Sequence, residues 1–152
     1  MNVELLNQVV KFHEEVPARF DMDDWYEALE PGRASDSLLE PAPACGIVGC
    51  IAGTANILGG KLHHYTNYDL NIEIYDEPEE GWFKGGQAAL ELTKEQAQRL
   101  FYHTSTIAGY WNSKNSWPSN YSLAYLNATT QAERVAALKA RVAHFIATDG
   151  QE

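Results

Sequence analysis

Between Ala42 and Leu58 the chain carries no charged residue, and this run decides more about the fold than any other stretch. It continues to Gly59-Gly60 and holds both cysteines, Cys45 and Cys50, among mostly small apolar residues. Such a run must be covered by lipid or by protein. A spanning helix needs about 20 largely apolar residues; this run is shorter, is broken by Pro43 and Asn56, and is poor in large side chains. The expectation is therefore a buried central helix opened by Pro43 and Ala44 and running to about Leu58, with Gly59-Gly60 as a left-handed stop. Gly46, Gly49, Cys50 and Gly53 recur at intervals of three and four, so one side of that helix admits a backbone or an aromatic ring at close range. Each interior glycine costs about 1 kcal/mol relative to alanine, and close packing has to offset that.

The rest of the chain supplies helices to pack around it. Val3, Leu6 and Val10, flanked by Leu5, Val9 and Phe12, make an amphipathic opening helix that Pro17 stops. Phe20, Met22 and Trp25 anchor an acidic connection, and residues 27 to 43 read as a loop punctuated by Pro31-Gly32, Pro41 and Pro43. Leu70 to Tyr75 alternates apolar and polar residues like a short strand; Pro78 to Gly81 reads as a turn from which Trp82-Phe83 pairs back as a hairpin. Gly86 to Leu92 is expected as a short helix. Thr93 with Gln96 and Thr130 with Glu133 are capping boxes that open two further helices. The second of these places Val135, Leu138, Val142, Phe145 and Ile146 on one face and ends near Asp149-Gly150. Between them, Tyr110 to Tyr121 is an aromatic-pinned loop and Tyr121 to Leu126 a short helix.

At 152 residues with 45% apolar content, the chain is long enough to bury roughly two thirds of its unfolded surface in one core. The expected fold is mainly α: a compact single domain, residues 1 to 152, of about five helices around the small-residue helix, with a minor β-hairpin.

Charge is distributed unevenly. Residues 1 to 80 hold 16 acids and 4 bases, whereas residues 81 to 152 hold 5 acids and 7 bases. Phosphate backbones are held by clustered cations, so direct nucleic-acid binding is not expected. An acidic surface suits solubility or a partner protein with a basic face. The opening residues lack the basic flank and apolar run of a secretory signal, which makes a cytoplasmic location the default, with no membrane association.

Few side chains have the types and spacing that chemistry requires. Cys45, in the first turn of the expected helix, would feel the positive end of the helix dipole, which favours a thiolate nucleophile; His63 or His64 could serve as its base. That arrangement is a little like the cysteine of papain-type hydrolases, but the chain has too little strand to supply their sheet. Cys45 and Cys50 followed by His63 and His64 also offer two thiols and two imidazoles for zinc, although adjacent histidines cannot readily turn both rings to one ion. The simpler reading makes both cysteines small buried hydrophobes at a tight helix contact. Asp21, Asp23 and Asp24 lack the glycine and terminal glutamate of a calcium loop and read as solvent-facing acids available to a partner. Trp111 and Trp117, with Tyr110 and Tyr121, form either an aromatic binding surface or a loop pinned to the core. Neither Gly59-Gly60-Lys61 nor Gly85-Gly86 is a phosphate-cradling loop, and no cofactor is expected. His13 and His144 are expected at the surface or partly buried.

Arg19-Phe20-Asp21-Met22 with Trp25, the motif Cys45-Gly46-Ile47-Val48-Gly49-Cys50-Ile51-Ala52-Gly53, and the run Ala88 to Ala97 with Leu100-Phe101 form one set of landmarks. Trp117-Pro118 and the closing Arg141 to Thr148 complete it. In these the chain resembles a family of small uncharacterised proteins from bacteria and their phages, marked by Cys-Gly-x-x-x-Cys-Ile-Ala-Gly. The resemblance spans nearly the whole chain, implies a single domain and a phage setting, and carries over no functional residue. Together these readings favour a non-enzymatic acidic protein that acts by occupying a partner protein. A thiol-dependent hydrolase or transferase using Cys45 and a zinc-stabilised small domain are the alternatives.

Overall fold

In a computed structural model the described residues are 1–22, 27–28, 32, 39–40, 47–59, 78–102 and 116–152. They form a mainly helical, compact domain. The elements are α1 (Val3–Glu15), a 3-10 turn (Pro17–Arg19), β1 (Glu27–Ala28), β2 (Ile47–Val48), α2 (Ile51–Leu58), α3 (Pro78–Ala89), α4 (Lys94–Phe101), α5 (Ser119–Leu126) and α6 (Gln131–Ala147).

The caps read from the sequence set the helix starts. Thr93 accepts from the Gln96 amide and the Gln96 side chain accepts from the Thr93 amide, opening α4; Thr130 and Glu133 do the same for α6. Asn2 caps α1 through its side chain. The buried face of α1 is Leu5, Leu6, Val9, Val10 and His13, so the stripe is rotated from the expected one: Val3 is exposed and Leu5 and Val9 lie inside. From α6, Val135, Leu138, Val142 and Phe145 enter the same core. Helix α6 packs on both α1 and α5, and α1 packs in turn on α2.

Helix α2 is the central helix, but it is half the expected length. The chain reaches it through β2, and Cys50 is its N-cap residue, with the amide of Thr54 donating to the Cys50 carbonyl at 3.0 Å. Gly49 thus lies outside the helix, in extended pairing with Phe20. The uncharged run hid this break because burial on all sides removes the polar punctuation that marks a helix start. From Ile51 to Asn56 every residue of α2 is buried.

A close small-residue contact forms with α3, but it runs along Ala52, Asn56 and Gly59 rather than the expected Gly46, Gly49, Cys50 and Gly53 side, and glycines of the partner helix admit it. A Cβ on Gly86 would stand 2.8 Å from the Ala52 carbonyl oxygen and 2.9 Å from its Cα, and one on Gly85 would meet the Asn56 carboxamide. Gly59 keeps right-handed helical geometry, φ −75°, rather than a left-handed stop. Its missing Cβ instead leaves room for the Ala89 methyl, which would otherwise sit 2.8 Å away. The seam therefore runs Ala52, Asn56, Gly59 against Gly86, Gly85, Ala89.

Two expectations about the middle of the chain are corrected. Pro78-Glu79-Glu80 begins α3 rather than a turn, and Trp82-Phe83 lies within that helix rather than in a hairpin. By sequence, proline at the first helical position followed by acids suits a helix N-terminus, because proline lacks only an amide that would be an orphan there and the dipole favours acids in a first turn. The β element is the antiparallel pair β1–β2, in register Glu27 with Val48 and Ala28 with Ile47. The expected strand from Leu70 to Tyr75 lies outside the described residues, as does the first half of the Tyr110 to Tyr121 loop, while its last residues, from Ser119, already belong to α5.

Candidate functional site

The strap from Arg19 to Met22 is a bonded junction that joins four parts of the chain. Its backbone is held on one side by Gly49, whose amide donates to the Arg19 carbonyl at 2.9 Å and whose carbonyl accepts from the Asp21 amide at 3.2 Å. On the other side the Gln131 side chain donates to the Phe20 carbonyl at 2.6 Å, and the Met22 amide donates to the Tyr125 hydroxyl at 3.1 Å. Phe20 and Met22 are buried and serve as anchors, as expected. The Phe20 ring lies 4.9 Å from the His13 imidazole and 5.8 Å from the Tyr125 ring, which continues to Trp117 at 6.0 Å.

Three buried titratable side chains, His13, Asp21 and Cys50, lie at this junction. His13 is fully buried, not at the surface, and its Nε2 is hydrogen-bonded to the Thr54 hydroxyl at 3.0 Å. Burial, reinforced by the positive Arg19, lowers its pKa to about 3, so the ring is neutral. The sequence did carry the signal: Leu6, Val9, Val10 and His13 follow one another at helical spacing on the apolar face.

Cys50 stands where the sequence placed Cys45, at the start of the central helix. The amides of Gly53, Ala52 and Cys50 favour its thiolate there, but burial outweighs them and Asp21 opposes the charge further, so the pKa rises to about 11. Cys50 is therefore a buried thiol, protonated at neutral pH and shielded from reagents. Asp21 is also fully buried, so it is not a solvent-facing acid open to a partner. Thiol, imidazole and carboxyl thus share an interior, yet none reaches solvent, and the imidazole is committed to Thr54.

The remaining sequence candidates divide between core and undescribed chain. Trp117 is 3% exposed and donates from Nε1 to the Leu100 carbonyl at 2.7 Å, which makes it a pin between α4 and α5 rather than an open aromatic surface. Tyr121 is half-buried and lies 5.5 Å from the half-buried ring of His144. Cys45, His63, His64, Asp23, Asp24 and Trp111 lie outside the described residues, so both the thiol pairing and the zinc set stand as expectations. Among the described residues no group of three or more His, Cys, Asp or Glu could hold a metal ion. No described helix is long and apolar enough to cross a membrane.

Sequence reasoning missed a second polar knot, at the end of α6. Arg141 is fully buried; its Nη1 donates to the Glu152 carbonyl at 2.8 Å and its Nη2 to the Arg99 carbonyl at 3.1 Å. Its guanidinium lies over the Phe145 ring at 5.2 Å, and burial pulls its pKa down to about 10. Gln96 and Arg99 of α4 donate to the carbonyls of Asp149 and Gly150, closing the same turn. The signal was positional: Arg141 falls three residues after Leu138 and four before Phe145, on the apolar face.

No protein-family model matches the chain, and neither a curated protein nor a solved structure matches it significantly.

Proposed function

We propose that the chain is a non-enzymatic binding protein that acts by occupying a partner protein with a basic surface, in the bacterial or phage setting that the resemblance implies. The observation that carries this reading is the concentration of negative charge: residues 23 to 77 alone hold 10 acids and 2 bases. Charge of one sign at that density raises the encounter rate with an oppositely charged surface and disfavours nucleic acid. Along α1 the charge is partly matched, since Glu14 meets Lys139 at 2.7 Å and Glu15 lies 3.9 Å from Lys11. The acids between 23 and 77 are accordingly assigned the partner.

Affinity capture from bacterial lysate at low and moderate salt tests the proposal. The expected result is a basic protein retained at low salt and released as the Debye length shrinks from about 30 Å at 0.01 M to about 8 Å at 0.15 M. Replacing Asp69, Glu73, Asp76 and Glu77 by their amides should release it, while replacing Glu14 and Glu15 should not. Retention of no protein at either salt, or retention indifferent to the four amides, would remove the proposal's support.

A further inference from the structure

We draw no further inference here: the strongest candidate, the exposed apolar side chains of the α5–α6 hairpin, Leu123 and Leu126 on α5 and Ala132, Ala136, Ala140 and Ala143 on α6, carries nothing because nothing in the structure shows what covers them.

Discussion

The imidazole Nε2 of His13 and the hydroxyl of Thr54 lie 3.0 Å apart in the interior, joining α1 to the central helix α2. The Nδ1 atom of the same ring has no hydrogen-bond partner among the described residues, so protonation would place a charge where nothing described accepts the second proton.

Acid should therefore unfold the protein through this ring. The folded pKa, about 3, lies below the ordinary 6.5, so below pH 6.5 the unfolded chain binds a proton that the folded chain refuses. The contribution to stability is complete above pH 6.5 and is lost as pH falls toward 3, at up to about 1.4 kcal/mol per pH unit. Denaturant melts between pH 7 and 4 should show this slope, and His13→Gln should flatten it while lowering stability at pH 7. Thr54→Val should cost about 1–3 kcal/mol, because it strands a buried nitrogen. An unchanged acid slope in His13→Gln would place the acid sensitivity elsewhere.

Gly86→Ala should be destabilising despite alanine's better helix propensity. Propensity alone favours alanine by about 1 kcal/mol. The new methyl, however, would stand 2.8 Å from the Ala52 carbonyl oxygen, and backbone inside a buried helix does not yield cheaply. Overpacking of this kind costs about 1–3 kcal/mol, enough to reverse the sign. Thermal melts of the variant should show a lower Tm; a rise would mean that α2 and α3 are not in contact along this seam.

Glu91→Gly should have the opposite effect. Glu91 follows the end of α3 with φ +53°, the left-handed region that disfavours residues with a Cβ. The Leu92 amide reaches back to the Gln87 carbonyl at 3.0 Å, the bond of a helix end that normally places glycine at this point. Glu91 is exposed, so little packing is lost, and the expected gain is about 0.5–1 kcal/mol, read as a higher denaturation midpoint.

Cys50 should resist alkylation. With the thiol pushed up to about 11 and fully enclosed, iodoacetamide at pH 7.5 should leave the Cys50 peptide unmodified in native protein and modify it readily in denaturant. The same peptide map reads Cys45. Rapid native labelling of Cys45, together with loss of biological effect in Cys45→Ala, would favour the thiol-enzyme alternative over the binding proposal. An inert Cys45 with a fully effective alanine variant would remove that alternative.

What could be read in advance follows from where the local code is strong. Helices α4 and α6 were legible because capping boxes state their starts in four residues each, and α1 because its apolar spacing is regular. The central helix was legible as a buried small-residue element but not in its bounds, since an uncharged run has no polar residue at Cys50 to mark the cap. Helix α3 was misread although Pro78-Glu79-Glu80 is a good helix opening, because Gly81, Gly85 and Gly86 lower its propensity. Those last two glycines make sense only with α2 alongside, a tertiary fact that local spacing does not hold. Among the candidate site residues, Asp21 was misplaced and Trp117 was left between pin and open surface for the same reason: whether an acid or an indole is buried depends on what distant chain arrives beside it, here Gly49 and Leu100.

Arg141 gives the sharpest separation between charge and shape. Its guanidinium joins two carbonyls from different parts of the chain, Arg99 and Glu152, while lying over Phe145. Its Nε has no partner among the described residues, so the desolvation penalty is only partly repaid. Arg141→Met removes that penalty with the two bonds and keeps apolar volume, so its stability should lie within about 1–2 kcal/mol of the parent. Arg141→Lys keeps a buried charge but loses the planar fork that spans both carbonyls, and should be the worse variant, by about 1–3 kcal/mol. Chemical denaturation of the two proteins at pH 7 checks the order. Lysine more stable than methionine would mean that positive charge at this point, rather than the shape of the guanidinium, holds the end of α6 against α4.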